Sequence, residues 1–304
     1  GDGTISYFYK KQGEADTEYK SVTEADFNTI VVGKYTLKAS VEEGTNYNAA
    51  TVKCDFSVTK QPITVDVSLD GWTYGDTAKI PSVTVKADDK NITSSYEKSQ
   101  ITYTYYTDSE CKNAVTPKNA GTYYVKAEVE ATDNYSDGSA VAEFIIAKKA
   151  VTATVTADNK TYDGTTNTTV SAAVADSDLV SGDKITIKGI TGTFEDQNAG
   201  ADKKVTVDSS NAEYAGTGVE NYDITIGTEA KASINKLTAE FKWSNTDLTY
   251  TGSEQSVTAE VSNAVSGDTF TLTYDGNKQT AVGDYTAKVT ALGNNNYTLE
   301  NATG

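Results

Sequence analysis

The chain has 304 residues, with 26 basic side chains against 43 acidic ones and a formal net charge of -17. Its basic residues are all lysine, and arginine, histidine and methionine are absent. Without histidine no Ser-His-Asp or Cys-His nucleophile system can be assembled, and with two cysteines no His/Cys zinc site fits. So acidic a chain is a poor partner for nucleic acid, and no apolar run approaches the length of a membrane span.

From the N-terminus, Ser21-Val22-Thr23-Glu24 is placed to cap a single helical turn, the one helical signal in the chain. Beyond it the sequence repeats. Val58-Thr59-Lys60, Ile146-Ala147-Lys148 and Ile234-Asn235-Lys236 end three segments whose lysines lie 88 residues apart. Thr73-Tyr74-Gly75, Thr161-Tyr162-Asp163-Gly164 and Thr249-Tyr250-Thr251-Gly252 keep the same period. A third marker pairs Gly33-Lys34-Tyr35 with Asn46-Tyr47, Gly121-Thr122-Tyr123 with Asn134-Tyr135, and Gly283-Asp284-Tyr285 with Asn296-Tyr297.

These markers predict a partial repeat 1–60, complete repeats 61–148 and 149–236, and a partial repeat 237–304. The first lacks an opening strand and the last a closing one, so the sequence reads as a fragment of something longer. In the second repeat the expected strands are Ile63–Leu69, Ser82–Ala87, Ile101–Tyr106, Thr122–Glu130 and Ala140–Ala147. Strands are further expected at Val151–Val155 and Leu237–Trp243, each starting almost directly after the preceding lysine. Asp70-Gly71, Asp137-Gly138, Asp163-Gly164 and Asp275-Gly276 read as turns. Joints this short favour an end-to-end array and an elongated monomer.

Hydrophobic residues make up only 37% of the chain. Alternation compensates, because a strand buried on one face needs an apolar side chain at every second position. Tyr123, Val125, Ala127 and Val129 share one face, with Lys126 and Glu128 on the other. Tyr35, Leu37, Ala39 and Val41 repeat the pattern, as do Tyr285, Ala287, Val289 and Ala291. One buried and one wet face predict an all-β fold: a tandem array of small antiparallel β-sandwich units. A compact β-grasp-like unit is the alternative, since only about five strong strands mark each repeat. The Gly-x-Tyr pattern resembles the tyrosine corner of immunoglobulin-like sandwiches, which makes Tyr35, Tyr123 and Tyr285 its structural candidates. Cys54 and Cys111 fall in different repeats and read as a buried small residue and a loop thiol, not a disulfide.

Trp72-Thr73-Tyr74-Gly75-Asp76, Asn119-Ala120-Gly121-Thr122-Tyr123-Tyr124-Val125 and Asn134-Tyr135 together resemble the MBG repeats of bacterial surface proteins. Lys160-Thr161-Tyr162-Asp163-Gly164-Thr165-Thr166, Val180-Ser181-Gly182-Asp183 and Asn198-Ala199-Gly200 are similar to the related YDG repeats. The last segment, with Tyr250-Thr251-Gly252-Ser253-Glu254-Gln255, again looks MBG-like. The resemblance implies tandem β domains in large secreted or cell-wall-attached adhesin-like proteins, and so an extracellular location at the bacterial surface. Repeat 149–236 departs from the pattern, with Ala201-Asp202-Lys203 where Gly-x-Tyr is expected.

No residue is assigned catalytic, cofactor-binding or metal-binding work. A glycosidase pair needs one carboxyl in a deep cleft, whereas Asp88, Asp89, Glu128 and Glu130 lie in turns or on outward faces. Asp133-Asn134, Asp176-Ser177-Asp178 and Glu195-Asp196 lack the alternating ligand spacing of a calcium loop. Lys38, Lys126 and Lys288 fall on outward faces, away from the buried setting a Lys–Asn cross-link requires. The expected role is a non-catalytic stalk that holds distal domains away from the cell, its partners being other domains of the same surface protein. The competing reading is a module that binds carbohydrate or a host surface protein, with Tyr106 and Tyr124 as the glycan-contact candidates.

Overall fold

The structure is a computed structural model, and it describes residues 3–300, 302 and 303. The described residues form strands and short 3-10 turns with no α-helix. A β-grasp needs a helix laid across its sheet, so that alternative is not realised. The chain divides into two compact units between Ala147 and Lys148.

In the first unit, Lys20–Ser21, Ile5–Lys11, Gly33–Val41 and Ala50–Val58 form one antiparallel sheet in that order. A single turn does form, at Glu24–Thr29, but its capping box is Thr23 with Asp26, while Ser21 lies in the preceding strand. The backbone N–H and Oγ1 of Thr23 both donate to Asp26 Oδ2, at 2.6 and 2.7 Å. The second repeat is a two-layer sandwich. One layer orders Trp72–Thr73, Gly138–Ala147, Gly121–Val129 and Ile101–Tyr106; the other orders Thr64–Ser68, Ser82–Ala87 and Lys90–Asn91. Alternation delivers Val125, Ala127 and Val129 to the interior, where they pack with Val65, Val85, Phe144 and Ile146. Trp72 stacks on Phe144 at 5.3 Å and caps one end of this core.

The same alternating pattern has a different outcome in the first repeat. Tyr35 is buried, yet Leu37, Ala39 and Val41 are only half-buried, and Val52 and Cys54 are exposed. No second layer covers this face among the described residues of the repeat. Cys54 is therefore not the buried small residue the sequence suggests.

In the second unit, Val170–Ala173, Lys149–Ala157 and Tyr222–Ile226 form one sheet. Lys160–Thr161, Glu229–Asn235, Gly200–Asp208, Thr191–Phe194 and Asn167–Thr168 form another. The fourth repeat is built of four two-stranded pairs, and one hydrophobic core runs through both repeats, from Phe194 and Val205 to Val289 and Leu292. The expected Leu237–Trp243 strand breaks at Glu240 into Leu237–Ala239 and Phe241–Ser244.

The sheets are dominated by antiparallel pairs, but the repeat markers form short parallel ones. Gln61, Lys149 and Leu237 open their repeats by pairing in parallel with Tyr135, Tyr222 and Tyr297. The Tyr74-Gly75 and Tyr162-Asp163-Gly164 markers are led by Trp72–Thr73 and Lys160–Thr161, which pair in parallel with Gly138–Ala147 and Glu229–Asn235. Asp137-Gly138 does not form the expected turn at Gly138, which is already the first residue of its strand. Gly164 and Gly276 do take left-handed backbones, both with φ of 74°, where a side chain is strained.

Each of the three candidate tyrosines donates its hydroxyl to the carbonyl four residues upstream. Tyr35 reaches Val31 at 2.8 Å, Tyr123 reaches Asn119 at 3.0 Å, and Tyr285 reaches Ala281 at 3.2 Å. Their burial differs. Tyr35 and Tyr123 are 2% and 9% exposed, whereas Tyr285 is 48% exposed. In the third repeat a β-bulge between Gly200 and Lys203, with Asp202 at φ 50°, replaces the Gly-x-Tyr pattern. Truncating a buried aromatic costs about 3–5 kcal/mol. Tyr123→Ala is therefore expected to lower stability by about that much in chemical denaturation, and Tyr285→Ala by much less. Equal losses would refute the difference in burial.

Candidate functional site

The most elaborate polar arrangement joins the third and fourth repeats inside the second compact unit. Pairing of Lys160–Thr161 with the closing strand carries Tyr162 to the end of the third repeat, where its N–H donates to the Asn235 carbonyl at 2.8 Å. Lys160 Nζ holds the turn together. It donates to Thr165 Oγ1 at 2.8 Å and the Asn167 carbonyl at 3.0 Å, and pairs with Asp163 at 2.6 Å. Burial opposes charge on Asp163, but Lys160 and the Thr165 donors outweigh it and hold its carboxyl below the usual value.

Tyr162 then crosses to the fourth repeat and is 3% exposed. Its hydroxyl donates to Asp268 Oδ1 at 3.0 Å, while Tyr297 donates to Oδ2 of the same carboxylate at 2.7 Å. The Val265 N–H donates to the Tyr297 oxygen at 2.8 Å, so that hydroxyl both gives and accepts. The two tyrosine rings meet edge to face at 5.6 Å. Beside them the Ala199 N–H donates to Asn296 Oδ1 at 2.8 Å, and Asn296 Nδ2 donates to Asn198 at 3.2 Å. A Cβ on Gly164 would lie 2.7 Å from Val265 Cγ1, so the approach of the two repeats needs glycine there.

The acceptor half of this arrangement occurs twice. In the third repeat Tyr222 donates to Asp183 at 2.7 Å and accepts from the Val180 N–H at 2.7 Å. Val180-Ser181-Gly182-Asp183 and Val265-Ser266-Gly267-Asp268 are the same motif. Its glycines sit at φ 96° and 93°, turning the carboxylate back towards the tyrosine. The roles of Asp268, Asp183 and Asn296 escaped sequence reasoning, although the twofold Val-Ser-Gly-Asp marks the two aspartates and the Asn-Tyr marker carries Asn296.

Tyr106 and Tyr124 face each other across neighbouring strands, both half-buried on the outer face. Tyr124 is tied down, its hydroxyl donating to Glu143 Oε2 at 2.9 Å. Asp196 pairs with Lys203 at 2.7 Å, and Asp176–Asp178 form a 3-10 turn. A depression of about 400 Å³ is lined by Lys149, Ala150, Val151, Thr152, Ser177, Asp178 and Thr225, which provide a single carboxylate.

Residues 147–233 match the family model of the YDG domain. The third repeat thus carries a YDG-type module in an all-β chain, a match with which the reading as YDG/MBG-type repeats is consistent. No curated protein matches it. Among solved structures, it is similar to mouse cadherin-23 EC22–24 at 11% identity, covering 76% of this chain and 86% of that one, with a TM-score of 0.23. Three N-terminal domains of the bacteriophage RB49 highly immunogenic outer capsid protein match at 14% identity, over 76% and 89%, with the same TM-score. Drosophila N-cadherin EC1–4 matches at 10% identity, over 78% and 67%, again at 0.23. Values this low carry no functional weight.

Burial, reinforced by the Asp268 carboxylate and opposed by the Val265 N–H, pushes Tyr297 up to about 12 from the ordinary 10.0. The folded chain then keeps a proton that the unfolded chain loses. The stabilisation is complete below pH 10 and is lost as pH rises towards 12. Alkaline unfolding should therefore begin in that window, read by tyrosinate absorbance against circular dichroism. Tyr162→Phe removes a hydrogen bond to a charged group and should cost about 1.5–3 kcal/mol. An unchanged denaturation midpoint would exclude that role for the Tyr162 hydroxyl.

Proposed function

We propose that this chain is a non-catalytic spacer of an adhesin-like bacterial surface protein, placed outside the cell and holding other domains of that protein away from it. The observation that carries this reading is the Tyr162–Asp268–Tyr297 junction. Most of its polar groups are spent on one another, and it joins consecutive repeats through a continuous core. A joint built on a half-buried carboxylate with two phenol donors resists bending, because bending exposes the core and breaks both bonds at once. The YDG match supports a surface or adhesion-type repeat module. The single-carboxylate depression gives no support to a glycosidase, and the acidic surface favours solubility over self-association.

The second reading, a glycan- or host-protein-binding module, rests on the Tyr106–Tyr124 pair. Their position on one outer face favours it, and the Glu143 bond that restrains Tyr124 weighs against it. A glycan array separates the two. The spacer reading expects no saturable signal above that of a Tyr106→Ala/Tyr124→Ala chain. Retention on a defined polysaccharide that this double substitution abolishes would make the chain a binding module.

A further inference from the structure

The first and last stretches of a complete repeat run side by side in the same direction. In the third repeat residues 149–153 pair in parallel with Tyr222–Ile226, each residue 73 positions before its partner. Both stretches then cross to the other sheet, where Lys160–Thr161 pairs in parallel with Ile234 and Asn235 at an offset of 74. The second repeat keeps an offset of 74 at both ends, from Gln61 with Tyr135 to Trp72 and Thr73 with Ile146 and Ala147. Backbone bonds fix these registers. In the third repeat the Gly227 N–H donates to the Ala153 carbonyl at 3.3 Å and the Tyr162 N–H to the Asn235 carbonyl at 2.8 Å. In the second the Gln61 N–H reaches the Asn134 carbonyl and the Tyr74 N–H the Ala147 carbonyl, both at 2.8 Å.

Strand direction decides how such a pair meets tension. The chain enters the third repeat at Lys149 and leaves it after Asn235, at opposite ends of the parallel pair. A pull on both ends draws the two stretches past each other along their own axes, so that the rungs between them carry load together. Antiparallel terminal strands would place entry and exit at one end, where rungs break one at a time. Each stretch is also held along its far edge. Val170–Ala173 pairs antiparallel with residues 154–157, and Gly200–Asp208 with Glu229–Asn235. Where the pair changes sheets, Asn159 Oδ1 accepts the Ser233 N–H at 2.6 Å. Val151, Ala153, Ile226 and Ile234 are buried, so sliding also drags apolar side chains out of their packing.

We propose that this parallel pair is a shear lock, and that each complete repeat uses it to bear tension applied along the chain. The load passes from the opening stretch to the closing stretch through backbone rungs, and the sheets on either side hold both stretches in line. The two complete repeats share the device although their sequences differ, because it resides in strand direction and register. This load-bearing function does not depend on the spacer role, since it follows from pairing inside a single repeat.

Single-molecule pulling in optical tweezers tests it on the full chain carrying Cys54→Ser and Cys111→Ser. One version is tethered through Lys148→Cys and Lys236→Cys, which loads the third repeat from its two ends. The other is tethered through Lys148→Cys and Glu220→Cys, which grips both stretches at the same end and peels them apart. All three tether positions are exposed, so the substitutions leave the fold in place, and circular dichroism checks that. At one loading rate the first version is expected to yield in a single step of about 30 nm, the extended length of the 88 residues between its tethers. That step should need at least about twice the force of the second version, because forced unfolding reads the barrier along the pulled direction. Equal forces in the two geometries, or a lower force in the first, would overturn the proposal. So would extension of the first version in several small steps, because the rungs would then be breaking in turn.

Discussion

A buried tyrosine gains most when its hydroxyl is hydrogen-bonded, and this chain builds its cores on tyrosine. It has twenty tyrosines, seven phenylalanines and no methionine. A tyrosine ring buries more apolar surface than an alanine or valine, but an unpaired buried hydroxyl forfeits much of that gain. Five interior tyrosines have a polar partner placed by the backbone, whereas Tyr96 is buried with its hydroxyl unpaired among the described residues. Tyr35 and Tyr123 find a carbonyl four residues back, Tyr222 and Tyr297 find an aspartate in a glycine turn, and Tyr162 finds the aspartate of the next repeat.

The last of these solutions links fold to role. A tyrosine that is satisfied only by its neighbour makes one repeat's core depend on the other's position. The core running from Phe194 to Val289 and the Asn296 contacts to Ala199 and Asn198 express the same dependence. The spacer role we propose draws on such coupling between repeats, which needs neither histidine nor arginine.

Much of this was legible in the sequence. Ser82–Ala87 and Ile101–Tyr106 fall where alternation puts them, because period-2 patterning is a local property of a half-buried strand. The glycine turns at Gly164 and Gly276 were legible for the same kind of reason, since left-handed backbone selects glycine locally. The parallel pairings of the markers were not. The Tyr74-Gly75 turn reads the same whether or not a strand from 74 residues further along lies beside it, as Ile146 lies beside Trp72. The bulge at Gly200–Lys203 also appeared only as a broken motif, because an inserted residue is defined by the strand opposite.

The sequence by itself determined that the chain is all-β, that it repeats every 88 residues, and which face of each strand is apolar. Only the tertiary structure decided which apolar faces are covered. Tyr123 and Tyr285 share a motif and an upstream carbonyl, yet one lies under Phe144 and the other faces solvent. Leu37 and Val125 differ in the same way. Alternation sets the direction of a side chain through the pleat of its own strand. Burial requires a second strand or layer to arrive from elsewhere, and no local pattern encodes its arrival.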